Sequence, residues 1–309
     1  MTEGYLALRN TAGQIDLSSR GHIRVTGEDR SRLLHAMTTN HIQSLVPGAG
    51  CYAFFLNAVG RVLADANVLC FDDYFLLDTE PETRMFIMEH LEKYIIADDV
   101  TLEDVTESLH ATGIEGPDAE AVLRKERLPV PEVPLAHAAS GPFLVVRASG
   151  TGAPGFRIFG PAESLPRFPE IVAASVDDVR TVRLEHFYPR YGEDITTANL
   201  PQETGIMEAL HFNKGCYLGQ EIVERVRSRG HVNRMLAGIL ADGTEVFERG
   251  AKISFEGSEV GEITSSAYSP ALNATPAIGY VRINAAKPGT RLSVGQRGAQ
   301  AVAIKSSRS

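Results

Sequence analysis

Ile23 and Val25 alternate with polar neighbours, and after Gly27 the apolar positions Leu33, Leu34 and Met37 recur at helical spacing, so a strand feeding a helix is predicted. The runs CYAFFL and RVLADANVLCF read as two strands joined through Asn57-Ala58-Val59-Gly60. Tyr74 to Thr79 supplies a third strand behind the turn residues Asp72 and Asp73. Between Glu82 and Ile95, Phe86, Ile87, Met88, Leu91 and Tyr94 return to largely helical spacing, and Val100 to Val105 reads as a strand. A second unit repeats this grammar with the strand HATGI, the punctuation Gly116-Pro117-Asp118, a helix from Ala119 to Glu126, and the strands FLVVRAS and GFRIFG. A glycine between strand and amphipathic helix in both halves fits an ancient duplication and fits shared α+β grammar equally well. RLPVPEVPLAHAASGP, with its four prolines, is predicted to be an extended surface connection. Beyond Arg234 the texture changes to six short β-like pieces, MLAGIL, AKISF, EVGEITSSAY, AIGYVRI, RLSVG and AVAIK, broken by Gly, Pro, Asn and Asp. No helical period intervenes, which predicts a small closed or sandwich-like β domain with a frayed SSRS end.

Composition narrows the class. The chain has 309 residues, 43% hydrophobic and 22% charged, which suits a globular protein of two or three packed units. Thirty basic against 39 acidic residues leave a net charge of −9, which argues against direct binding of nucleic acid along the surface. Cys51, Cys70 and Cys216 are odd in number and lack C-x-x-C spacing, so neither a disulfide framework nor a self-contained metal site is expected, and a reducing compartment fits. Glu3 stands where a signal peptide needs positive charge, and no apolar run approaches the roughly 20 residues that cross a bilayer. A cytoplasmic protein without membrane association is the expectation.

Candidate chemistry concentrates in HFNKGCYLGQEIVERVRSRGHVNR. Gly215 and Gly219 permit tight backbone paths, and Ile222, Val223 and Val226 share one face of a helix beginning just after Cys216. A cysteine near a helix N-terminus, close to Lys214, is biased toward thiolate; the plain alternative is a small packed residue. Cys51 and Cys70 lie in apolar strand patterns and read as core. Arg225, Arg227, Arg229, His231 and Arg234 form a basic cluster that suits either an anion or a solvated helix end.

The run Lys214 to Glu221, KGCYLGQE, resembles the K-G-C-Y-x-G-Q-E signature of the YgfZ-type folate-binding proteins, relatives of the glycine-cleavage T-protein. GEDRSRLLHAMTTN, FLNAVGRVLAD, VRLEHFYPRYGED and GEITSSAYSPALNATPAIGYV are similar to further segments of that superfamily, so the likeness covers almost the whole chain. It implies an α+β fold: two ferredoxin-like subdomains, residues 1–48 with 108–234 and residues 49–107, around a central folate cavity, and a C-terminal β-barrel over 235–309. It implies tetrahydrofolate or a one-carbon-substituted folate as cofactor. By resemblance Glu185 receives the pterin N–H donors, and Asp65 falls on the second acid of the T-protein's Asp-Asp pair, with Ala64 at the first. Phe75 and Leu77 correspond to pterin-flanking side chains, and Arg227 is a candidate for the ligand's anionic end. Cys216 and Lys214, with Asp65, are the catalytic candidates. His186 and Phe187 replace small residues beside the pterin carboxylate of the relatives. The implied role is a folate-binding accessory factor for iron–sulfur cluster assembly or maintenance. Its partners would be iron–sulfur client proteins, tRNA-thiolating enzymes among them. The alternative is a tetrahydrofolate-dependent aminomethyltransferase.

Overall fold

The computed structural model describes residues 1–305 and is built from two antiparallel-rich sheets and a closed barrel. The five-stranded sheet runs in the order Gly50–Leu56, Val62–Cys70, Phe75–Thr79, Gly21–Thr26, Thr101–Asp104. One of its faces is covered by the helices Arg30–Met37 and Arg84–Glu92. Ile23, Val25, Leu33, Leu34, Phe55, Val68, Ile87 and Leu91 pack together there. The six-stranded sheet centres on Gly13–Asp16, His110–Glu115 and Gly155–Gly160, and the helix Ala119–Lys125 covers its outer face on Ile114, Phe156 and Ile158.

Between the sheets lies the central core. Side chains alternate across a strand, so Tyr52, Phe54, Leu69 and Leu76 from one sheet meet Ala111, Val146 and Phe159 from the other. Leu236, Ile278 and Tyr280 of the barrel join the same cluster. The barrel closes in the order Arg234–Asp242, Ala274–Arg282, Ser258–Ser266, Lys252–Phe255, Arg291–Val294, Arg297–Val302, around Ile239, Ile253, Ile263 and Val281. Five of the six β-like pieces of the sequence fall on barrel strands, and the sixth, AVAIK, enters the last strand only through Ala301 and Val302. Thr264 and Ser265 of the barrel donate to Asp194 at 2.7 and 2.5 Å, and Arg183 completes that carboxylate at 2.6 Å.

Three features differ from the sequence expectation. Strand Gly21–Thr26 pairs with Phe75–Thr79 and Thr101–Asp104, so residues 21–26 share a sheet with strands of 49–107, and helix Arg30–Met37 packs on it, rather than joining 108–234. The segment that carries Glu185, to which the sequence pattern assigned no element, is the helix Val176–Glu185, started by a capping box between Ser175 and Asp178. An unforeseen helix, Glu3–Asn10, begins the chain; Thr2 caps it and it buries Tyr5, Ala7 and Leu8. No helix among the described residues is long and apolar enough to cross a membrane.

Candidate functional site

The polar exceptions to strand alternation converge between the two sheets. Asp65 and Asn67 alternate on strand Val62–Cys70, Asp78 lies on Phe75–Thr79, and Arg157 stands opposite on Gly155–Gly160. With Arg20, Tyr52, Glu80 and Tyr188 they line a small polar recess of about 20 Å³, room for a water-sized group. The recess shares Arg20, Glu80, Ser149, Arg157 and Tyr188 with an outer cavity of about 580 Å³. Helix Val176–Glu185 walls the outer cavity with Val176, Val179, Arg180 and Arg183.

Ion pairs hold the junction. Arg20 donates through Nε to Asp78 at 2.6 Å and through Nη1 to Glu80 at 2.7 Å. Arg157 donates to the other Asp78 oxygen, which also accepts from Asn67 at 3.0 Å. Burial alone drives the Asp78 carboxyl up, and Arg157, Arg20 and His22 together overcome it and hold the group well below its usual range. Burial likewise raises Glu80, and Arg20 and Arg190 reverse this and hold it at about 2. Tyr52 donates its hydroxyl to Asp65 at 2.5 Å, fixing the orientation of the carboxylate that faces the recess.

Of the residues singled out from sequence, Asp65 alone lines this space. Glu185 lies on the far side of its helix. The cavity-facing positions Val176, Val179, Arg180 and Arg183 follow the i, i+3, i+4, i+7 pattern, and a residue two beyond Arg183 points about 200° away. Its carboxylate instead accepts from Tyr5 at 2.6 Å, Arg9 at 2.5 Å and Ser269 at 2.5 Å, tying the N-terminal helix to the barrel. Phe75 and Leu77 also face away; they are buried beneath the helices, and the alternate positions Leu76 and Asp78 look toward the interior between the sheets. Arg227 is exposed, stacked over Phe212 at 4.6 Å and paired with Glu224 at 3.4 Å.

The KGCYLGQE loop forms a separate feature. The Lys214 ammonium donates to the carbonyl oxygens of His35 and Thr38, capping the C-terminal end of helix Arg30–Met37, and lies 4.7 Å from the Tyr217 ring. His35 returns the contact by donating Nε2 to Lys214 O at 2.7 Å. Burial pushes the Lys214 amine down to about 7. Its place is that of a clamp, not of a group open to a reactant. The clamp leaves Cys216 exposed, two residues further on, while Cys70 is buried and burial pushes Cys51 up to about 12. Sequence reasoning passed over Arg20, Tyr52, Asn67, Asp78, Arg157 and Arg190. The readable signal was a charged residue inside an apolar strand, as in GFRIFG and FLLDT.

Residues 1–214 match the GCVT N-terminal domain, and residues 234–308 match the glycine cleavage T-protein C-terminal barrel domain. The chain belongs to the glycine-cleavage T-protein family. Among its relatives in this family, the aminomethyltransferase of Streptomyces avermitilis is 27% identical over 93% of this chain and 82% of its own length. A chloroplastic protein of Arabidopsis thaliana, At1g60990, whose name goes no further than a provisional "transferase", is 28% identical over 94% of this chain and 70% of its own. The crystal structure of glycine cleavage system aminomethyltransferase T from Bartonella henselae superposes with a TM-score of 0.86 over 98% of this chain and 88% of that one. At 22% identity it speaks for the fold.

Proposed function

We propose that this T-protein-family member is a folate-binding accessory factor for iron–sulfur cluster assembly or maintenance, supporting cluster-dependent enzymes that include tRNA-thiolating ones. The observation that carries the reading is the KGCYLGQE loop. It is clamped reciprocally by Lys214 and His35 on helix Arg30–Met37, and it presents Cys216 to solvent while the other cysteines are half-buried or buried. A lone thiol does not make a four-cysteine cluster site, so the sulfur would act in transient contact with a client. The cavity between the sheets suits the cofactor. Its volume of about 580 Å³ falls within the usual range of about 300–1,000 Å³ for such sites, it is lined by the donor Arg157, and Arg157 also borders the small recess that the acceptor Asp65 lines. Tetrahydrofolate bound there would supply ring nitrogens that carry a one-carbon unit. Asp65, oriented by Tyr52, would hold or accept a proton at the recess, and the Arg20–Glu80–Arg190 ion pairs would keep its rim in place.

In a strain lacking the gene, the wild-type chain is expected to restore the activity of cluster-dependent enzymes and tRNA methylthiolation. Cys216→Ser is expected to fail while still binding folate. Full rescue by Cys216→Ser removes the thiol from the mechanism. A second reading, aminomethyl transfer, is favoured by the names of the relatives and by the presence of Asp65 in the recess. It is adopted if purified protein releases ammonia from an aminomethylated lipoyl carrier in the presence of tetrahydrofolate and Asp65→Asn abolishes the turnover.

A further inference from the structure

Arg157 is a buried cation with donors to spare. It is 5% exposed, and among the described residues Asp78 is its one hydrogen-bond partner and its buried Nε has none. It also lines both the recess and the outer cavity, so any molecule that fills the larger space and reaches inward meets this guanidinium. A buried guanidinium whose donors are not all used is under-satisfied, and a ligand atom that accepts from its cavity-facing N–H groups relieves that cost.

The surroundings restrict what that atom can be. Asp65, Asp78, Glu80 and Glu82 supply four carboxylates against the three guanidiniums of Arg20, Arg157 and Arg190. The junction therefore has no positive charge to spare, and a further anion would add an uncompensated charge. An N–H donor would abut guanidinium N–H groups, which only donate. What remains is a neutral acceptor, and a ring-carbonyl oxygen, with two lone pairs, suits a guanidinium best.

We propose that Arg157 is the residue that reads the bound molecule, receiving a neutral ring-carbonyl oxygen of the lactam type, and that it thereby sets ligand specificity. This rests on the folate reading above, in which the oxygen is the 4-oxo group of the pterin. Folate and its 4-amino analogue aminopterin differ at that position, where one presents an acceptor and the other a donor, and at the adjoining N3, an N–H in the first and a bare ring nitrogen in the second; the Arg157 variant separates the two. The wild-type protein is expected to bind folic acid at least about tenfold more tightly than aminopterin, because the analogue sets N–H against N–H. In Arg157→Met the preference should shrink to within about threefold, chiefly through weaker binding of folic acid. The readout is a ratio of two affinities on one folded population, so partial loss of stability does not imitate the effect. If Arg157→Met does not fold because Asp78 has lost a partner, the double variant Asp78→Asn/Arg157→Met removes the unpaired charge and is expected to give the same collapsed ratio. Equal binding of the two ligands by the wild type, or a tenfold preference that survives in the variant, overturns the role of Arg157 and leaves the folate reading standing. Binding of neither ligand, nor of tetrahydrofolate, overturns both.

Discussion

Three cysteines in one chain occupy three environments, and reactivity should follow them. The thiolate is the nucleophile, so burial that raises a thiol's pKa also silences it. Burial raises Cys70, and pushes Cys51 up to about 12 despite the opposing charge of Lys214. Cys216 is exposed. A disulfide reagent at pH 8 is therefore expected to label one thiol quickly in the native protein and the other two only after denaturation, with Cys216→Ser abolishing the fast phase. Two fast thiols, or a fast phase that persists in Cys216→Ser, would contradict the assignment. This division was legible in the sequence, because Cys51 and Cys70 stand in apolar strand patterns while Cys216 stands among Lys, Gly and Gln. The fate of Glu185 was not. Val182 and Leu184 bracket a charged residue as a strand would, and the helical period is carried partly by Arg180 and Arg183, whose charge hides it from a hydrophobic pattern.

At the level of elements, the turn Asn57–Gly60 and the start of helix Gln220–Arg229 depend on each other's lack of side chain. Gly219 caps the helix with φ +84°, and a Cβ there would lie 2.6 Å from Asn57 O and 3.0 Å from Leu56 Cβ. Across the contact, a Cβ on Gly60 would lie 2.7 Å from that of Ile222. Gly219→Ala is thus expected to destabilise by about 2 kcal/mol or more, combining the left-handed backbone with a backbone clash. Urea denaturation checks the value, and a change within about 0.5 kcal/mol would mean that the hairpin and helix part without cost. The sequence announced this helix and the two flanking glycines, and it announced the barrel, because six short runs without helical period have few other ways to bury an apolar face. It did not announce helix Glu3–Asn10. Eight residues give about two turns, too few for periodicity to stand out, and the helix is held by tertiary contacts such as Tyr5 to Glu185. Nor did alternation alone reveal which face of strand Phe75–Thr79 looks inward. Asp78, the one charge on that strand, marked the answer, and Phe75 and Leu77 drew attention to the wrong side.

For the molecule as a whole, carboxylates paired with arginines join the layers, and this makes stability a function of pH with a definite sign. Asp78 links the two sheets through Arg157, Arg20 ties Asp78 to Glu80, Arg190 extends the pairing from Glu80 to Glu82, and Asp194 joins the barrel to helix Val176–Glu185 through Arg183. Burial raises Asp78, Glu80 and Asp194, and in each case the neighbouring guanidiniums win and leave the carboxyl below its ordinary value. A group whose pKa is lower in the folded than in the unfolded chain stabilises the fold fully above its unfolded value, near 4, and loses that contribution as pH falls through its folded value. For Glu80 the window runs from the ordinary value of 4.5 down to about 2. Its contribution at pH 7 is on the order of 3 kcal/mol by linkage. Urea midpoints are therefore expected to hold between about pH 7 and 5 and to decline steeply below about 4.5. Every other carboxylate titrates in both proteins, so the difference between wild type and Glu80→Gln isolates this one group. The variant should be less stable at pH 7 by the full amount, and the two curves should converge as pH approaches 2. Curves that stay parallel to pH 2 would mean that Glu80 keeps no lowered pKa, and that the Arg20–Glu80–Arg190 link at the cavity rim is not a stabilising one.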